Sequence, residues 1–168
     1  MERIKLLDCT LRDGGYINEW DFGFETIKNI IKKLVDAKTD YVEVGFLRND
    51  SYDKDKAIFN NCSQIASILP THRGNTQFTV MALHNKYDIN QLEPFDGKTV
   101  DALRVTFHDY DIDEGLVFIQ KAMEKGYKVF CNPINIMGYS DAQLLELIEK
   151  VNKIKPYAFS VVDTFGSM

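Results

Sequence analysis

Two hydrophobic periods alternate along the chain. Short runs rich in Val, Ile, Leu and Phe occur at Ile4–Asp8, Tyr41–Leu47, Gln77–Leu83, Ala102–Phe107, Lys128–Ile134 and Ala158–Asp163. Several are nearly continuous in apolar residues, as parallel strands buried on both faces should be. The segments between them follow a helical period. Phe24, Ile27, Ile30, Ile31, Leu34 and Val35 fall on one stripe. Leu144, Leu145, Leu147, Ile148, Val151 and Ile154 fall on another, with lysines and glutamates on the far side. Ser140, followed three residues later by Gln143, predicts a capping box for that last helix. Gly126 stands just past a Leu116–Met123 helix, where a left-handed C-terminal residue is wanted. After the third run the helical signal fades: Ile89–Leu92 is brief, and Pro94 stops it.

The order is β-α repeated, which predicts an α/β fold with a parallel sheet and crossover helices. No linker rich in Gly, Pro or Ser interrupts it, so residues 1–168 read as a single domain. Two architectures accommodate six such strands: an open doubly wound sheet, or part of an eight-stranded barrel. A dinucleotide-binding sheet should carry G-x-G-x-x-G after its first strand. Here that loop reads Arg12-Asp13-Gly14-Gly15-Tyr16, and no phosphate loop appears elsewhere. A complete (β/α)8 TIM barrel takes about 250 residues. The 168 residues here are therefore expected to supply about its first six strands and five helices, as the N-terminal part of a longer catalytic domain. Unpaired edges and an uncovered interior favour self-association, which a monodisperse monomer in light scattering would contradict.

Composition narrows the function classes. Hydrophobic residues make up 45% and charged residues 27% of the chain, the proportions of an ordinary globular domain and not of a disordered one. A net charge of -5 argues against nucleic acid or an anionic membrane as partner, because both need a basic surface. No basic-then-apolar leader opens the sequence, and no apolar run is long enough to span a bilayer. Cys9, Cys62 and Cys131 are an odd number, far apart and set among apolar residues. They suggest a reducing, cytoplasmic setting and no disulfide framework. Without any C-x-x-C, a cysteine zinc site is dismissed.

The candidate chemistry gathers where the strands end. In both architectures, ligands bind at the carboxyl ends of parallel strands. Read in order, those ends carry Arg12 and Asp13, then Glu43 within the second strand, His84, His108, Asn132 and Asn135, and finally Asp163. Glu43 lies in an otherwise apolar run, and a buried carboxylate needs a compensating cation. Arg12 is its natural partner and Arg104, inside the fourth strand, the competitor. A purely structural ion pair remains the alternative for both. Asp13 could be a turn residue, since Asp-Gly is a common turn pair, and His84 and His108 could be buried histidines with satisfied partners. Gly14-Gly15, like Gly45 and Gly166, allows positive φ or a close backbone approach to a ligand.

The run Leu7-Asp8-Cys9-Thr10-Leu11-Arg12-Asp13-Gly14 resembles the D-x-T-L-R-D-G signature of the DRE-TIM metallolyases. That superfamily includes 4-hydroxy-2-oxovalerate aldolases, 3-hydroxy-3-methylglutaryl-CoA lyases and isopropylmalate synthases. Arg12, Asp13 and Glu43 stand at the positions that give it its name. Leu103-Arg104-Val105-Thr106-Phe107-His108 is similar to the fourth strand of the ketovalerate aldolases, and Val162-Asp163-Thr164-Phe165-Gly166-Ser167-Met168 to their sixth strand and loop. The resemblance implies a metal-dependent aldolase that forms pyruvate from a 4-hydroxy-2-oxo acid. It makes Asp13 a ligand to Mg²⁺ or Mn²⁺, whose hard charge suits oxygen donors. Arg12 would hold the keto acid, with Glu43 orienting it. Arg12, Glu43, Tyr16 and His108 become the catalytic candidates, and Arg12, Asn132, Asn135 and Asp163 the substrate-binding ones.

Two positions depart from the pattern. Tyr16 stands where the aldolases place a histidine base, and phenol is a poor base at neutral pH. The His-x-His that supplies two further metal ligands is absent, the only histidines being His72, His84 and His108. The 168 residues alone are therefore expected to bind metal weakly and to have negligible aldolase activity. Alternatives are a Claisen-type lyase or acyltransferase acting on a CoA thioester, a non-catalytic scaffold domain that lost the metal site, and, last, an open nucleotide-binding sheet.

Overall fold

The computed structural model describes residues 3–166. Six strands pair side by side in chain order: β1 (Leu7–Asp8), β2 (Tyr41–Leu47), β4 (Gln77–Leu83), β5 (Ala102–Phe107), β6 (Lys128–Pro133) and β7 (Ala158–Phe159). A two-residue strand, β3 (Ile58–Phe59), adds to β2 beyond the end of β1. Every strand pairing is parallel. The crossovers run through helices α2 (Phe24–Asp36), α3 (Cys62–Ala66), α4 (Ile112–Glu124) and α5 (Asp141–Ile154), after a single-turn helix α1 (Thr10–Asp13).

The sheet curls. Tyr41 on β2 and Phe130 on β6 are three strand spacings apart along the ladder, about 14 Å if the sheet were flat. Their rings meet edge to face, 5.6 Å between centroids. Glu43 on β2 likewise bonds Arg104 on β5 across the concave face. The architecture is a half-barrel of the (β/α)8 kind, and the open-sheet alternative is excluded.

Alternation along each strand divides its residues between two surroundings. Val42, Val44, Val80, Leu103, Val105 and Val129 are fully buried and belong to one apolar core with Ile27, Ile31, Ile65, Ile119, Leu147 and Val151. Burying a side chain of this size contributes about 1.5–3 kcal/mol, so this layer fixes strand register. The concave side carries Glu43, Arg104 and Asn132 together with the rings of Tyr41 and Phe130.

Local rules account for the helix ends. Ser140 and Gln143 form the expected capping box on α5, and Gly126 follows α4 with φ +94°. After β4 there is only a 3-10 turn, Ile89–Gln91. The outer strands are shorter than their hydrophobic runs. Ile4 and Leu6 are exposed, and the Leu6 N–H donates to the Asp40 carboxylate, not to a strand neighbour. The segment expected as a loop after β1 is helical: α1 runs into a 3-10 turn, Gly14–Ile17. Gly14 has φ −63°, so the glycine pair does not begin with a left-handed residue. Gly45 does have positive φ, +146°, and a Cβ there would lie 2.1 Å from the Ala57 carbonyl oxygen.

Candidate active site

The site grows from one buried charge. Glu43 is wholly inaccessible, a position that would cost several kcal/mol without counter-charge. Its Oε2 accepts from Arg12 Nε and from Arg104 Nη1, each at 2.8 Å. The two cations that the sequence sets in competition therefore share a single oxygen. Arg104 Nη2 donates on to Asn132 Oδ1 at 3.2 Å, and Arg12 Nη1 to Asp13 Oδ1 at 2.7 Å. Burial alone would lower the Arg12 pKa, but the charge and hydrogen bond of Glu43, together with the charge of Asp13, outweigh it and hold the guanidinium above its ordinary value. Cys9 sits beside this network. Burial pushes its thiol up, Arg12 pulls against that, and Glu43 and Asp13 push with it, so the group stays a neutral thiol.

Above the network opens a cavity of about 560 Å³ whose lining includes Arg12, Asp13, Tyr16, Arg104, Asn132 and Asp163. Arg12 and Asp13 thus stand at the mouth, with Glu43 buried beneath them. Tyr16 is 64% exposed and leans edge to face on Trp20 at 4.8 Å. Asn132 is buried, held by Arg104 and by the Phe130 carbonyl that its amide reaches at 2.9 Å.

Three other candidates, Asn135, His108 and His84, lie outside this lining. The Asn135 N–H donates to Thr164 Oγ1 at 2.7 Å, and the residue is left-handed, with φ +53°. The His108 ring stacks on Tyr110, 4.8 Å between centroids, and its Nδ1 lies 3.7 Å from Asp111 Oδ2. His84 Nε2 lies 3.4 Å from the same oxygen. Both histidines therefore turn to Asp111, at the start of α4.

Sequence reasoning missed most of the remaining wall of the cavity, including Phe46, Met81, Leu83, Thr106, Ile134 and Val162. Strand alternation could have found four of them: Met81 and Leu83 share the parity of Thr79, the register partner of Glu43, Thr106 that of Arg104, and Ile134 that of Asn132. It also missed Trp20, whose Nε1 donates to the Arg12 carbonyl at 2.7 Å.

Among the described residues no group of three or more His, Cys, Asp or Glu side chains could hold a metal ion. Asp13 offers an exposed carboxylate, but one of its oxygens is engaged by Arg12. By themselves these residues do not fit a complete divalent-metal centre.

Fold and site together define a (β/α) half-barrel with a charged mouth at the carboxyl ends of its strands. The chain belongs to the HMGL-like family, whose sequence model residues 3–168 match. Membership places it in a superfamily of lyase and aldolase type. No curated protein matches it. Among solved structures it is similar to the N-terminal domain of a candidate aldolase from Bacteroides vulgatus, with 20% identity over 92% of this chain and 61% of that one and a TM-score of 0.59. It is also similar to an N-acetylneuraminic acid (sialic acid) synthetase from Leptospira borgpetersenii serovar Hardjo-bovis, solved with citrate, with 16% identity over 94% of this chain and 53% of that one and a TM-score of 0.56. At these identities the likeness is one of fold, and the chain spans about three fifths and half of those two chains. No helix among the described residues is long and apolar enough to cross a membrane.

Proposed function

We propose that this half-barrel carries the keto-acid side of an aldolase active site, closest in kind to the 4-hydroxy-2-oxovalerate aldolases, which releases pyruvate from a 4-hydroxy-2-oxo acid. The observation that supports this reading is the pair of guanidiniums fixed on one buried carboxylate beneath an open cavity. Glu43 and Asp13 between them balance the two charges, so what faces the cavity is a set of guanidinium N–H donors that need not reorganise. Arg12 and Arg104 would bind the substrate carboxylate and 2-oxo oxygen. Loss of the 4-hydroxyl proton breaks the C3–C4 bond and releases an aldehyde, and the electron pair moves onto the 2-oxo oxygen as an enolate. Guanidinium donors already in place stabilise that enolate more than the ketone, and protonation at C3 yields pyruvate. Tyr16 and Asp163 stand at the same cavity to orient the 4-oxygen. A divalent ion, Mg²⁺ or Mn²⁺, taking Asp13 as one ligand belongs to the proposal. Asp13 alone would not complete its coordination.

Oxalate, an isostere of the pyruvate enolate, tests the reading by calorimetry in the presence of Mg²⁺. Saturable binding should weaken about tenfold to a hundredfold in Arg12→Met, the loss expected for hydrogen bonds to a charged group. The 168 residues should release no measurable pyruvate from 4-hydroxy-2-oxovalerate. Oxalate that fails to bind, or binds Arg12→Met equally well, sinks the proposal.

A further inference from the structure

The chain has one tryptophan, and its surroundings are unusual for a residue outside any helix or strand. The Trp20 backbone is left-handed, with φ +60°, directly after Glu19 at +55°. Non-glycine residues rarely adopt that conformation, and it persists only where the surroundings hold it. Here they do: Trp20 N–H donates to the Gly15 carbonyl, and its own carbonyl accepts from Ala57 N–H, both at 2.9 Å. The indole lies directly on Gly15, where an added Cβ would come within 2.1 Å of Trp20 Cδ1. Its Nε1 donates to the Arg12 carbonyl at 2.7 Å. That carbonyl lies at the end of the single-turn α1, where helical carbonyls need outside donors.

The ring also braces the cavity wall. It meets Tyr16 at 4.8 Å and Phe46 at 5.5 Å, both edge to face. The guanidinium of Arg48 packs on Trp20 at 4.6 Å and on Phe46 at 4.3 Å. One side chain thus touches three residues that line the cavity: Arg12 through its carbonyl, and Tyr16 and Phe46 through their rings.

We infer that Trp20 is a positioning residue for Arg12: its indole N–H and flat contact with Gly15 set the place of α1, from which the guanidinium reaches Glu43. Gly15 is then required by Trp20, not by a ligand. The consequence for binding rests on the aldolase reading, whereas the consequence for Arg12 geometry does not.

The test uses Trp20→Phe, which keeps most of the ring but removes the N–H, alongside Gly15→Ala, which displaces the ring. Two readouts are taken. The first is the ¹⁵N–¹H resonance of Arg12 Nε, assigned by its loss in Arg12→Lys, which reports the bond to Glu43. The second is the oxalate dissociation constant in the presence of Mg²⁺. In both variants the Arg12 Nε resonance should shift. Oxalate binding should weaken about fivefold to tenfold in Trp20→Phe, the loss of one hydrogen bond, while its thermal transition stays cooperative. A merely structural Trp20 would lower the melting temperature without moving that resonance, and this result overturns the inference. A shifted resonance in a protein that never bound oxalate supports the positioning role and removes the aldolase reading alone. Should Trp20→Phe fail to fold, 3-benzothienylalanine at the same position, with sulfur in place of the N–H, gives the same two readouts.

Discussion

Two adjacent layers inside the half-barrel are built from neighbouring inward positions on the same strands, yet they are opposites in chemistry. Tyr41 and Glu43 are two residues apart on β2, and Phe130 and Asn132 two apart on β6. In the lower layer Tyr41, Phe130 and Tyr157 pack edge to face, and Lys5 and Lys128 lie over the rings of Tyr41 and Tyr157. In the upper layer Glu43, Arg104 and Asn132 are linked by hydrogen bonds and reached from above by Arg12. A shift of two residues along each strand thus changes an aromatic plug into an ionic network. The barrel interior is not one core but an aromatic layer beneath a site. Glu43 is wholly inaccessible, so the upper charges act at low dielectric, where fixed dipoles and ions are strongest.

The sharpest way to break that contrast is to remove the shared anion. Glu43→Gln keeps the shape and one acceptor oxygen but leaves Arg104 without its carboxylate and Arg12 with only the exposed Asp13 as counter-charge. The expected loss is about 3–5 kcal/mol in denaturant unfolding, with loss of oxalate binding. Adding Arg104→Met to Glu43→Gln should recover part of that stability, because it removes the surplus charge. If Glu43→Gln costs no more than an exposed ion pair, about 1 kcal/mol or less, the upper layer is only a structural decoration.

Arg104→Met alone is the intermediate case. Glu43 keeps Arg12, and Asn132 keeps the Phe130 carbonyl, so the loss is that of charged hydrogen bonds, about 1.5–3 kcal/mol. The costs of Arg12→Met and Arg104→Met should not add, since both guanidiniums donate to the same oxygen. Additive costs in urea melts would mean that Arg12 and Arg104 act separately, and the picture of one shared network would fall.

The two layers also differ in how far they could be read from sequence. The strands β2, β4 and β5 are legible residue for residue, because burial on both faces forces continuous apolar runs there. Glu43 is conspicuous for the same reason, as a charge inside such a run. The capping box at Ser140 is legible because it is local. The edges are less so: Ile4 and Leu6 carry strand-like side chains, but Asp40 takes the Leu6 amide, a partner no local pattern indicates. The helical turn of Arg12 is likewise set by Trp20 and Gly15, a contact dictated by shape and invisible to spacing rules. His108 looked like a site residue because it ends a strand, yet its ring is held against Tyr110 and Asp111. Strand-end position tells which rim a residue occupies, not which way it turns there.

The lower layer supplies the smallest effect and a pH signature of its own. The Tyr41 hydroxyl lies 3.1 Å from that of Tyr157, and burial first, then that neighbour, pushes its pKa up to about 12. An unfolded tyrosine ionises near 10. As pH rises past 10 the unfolded chain gives up a proton that the folded chain retains, so this contribution to stability is fully present below pH 10 and is lost as pH approaches 12. Tyr41→Phe removes the ionisable group. At neutral pH it should cost only about 0.5–1.5 kcal/mol, one hydrogen bond, and leave oxalate binding intact. Between pH 10 and 12 its melting temperature should fall less steeply than that of the wild type. Equal slopes would mean that burial does not hold the Tyr41 proton, and the contrast between a desolvated aromatic layer and the ionic one above it would lose its lower half.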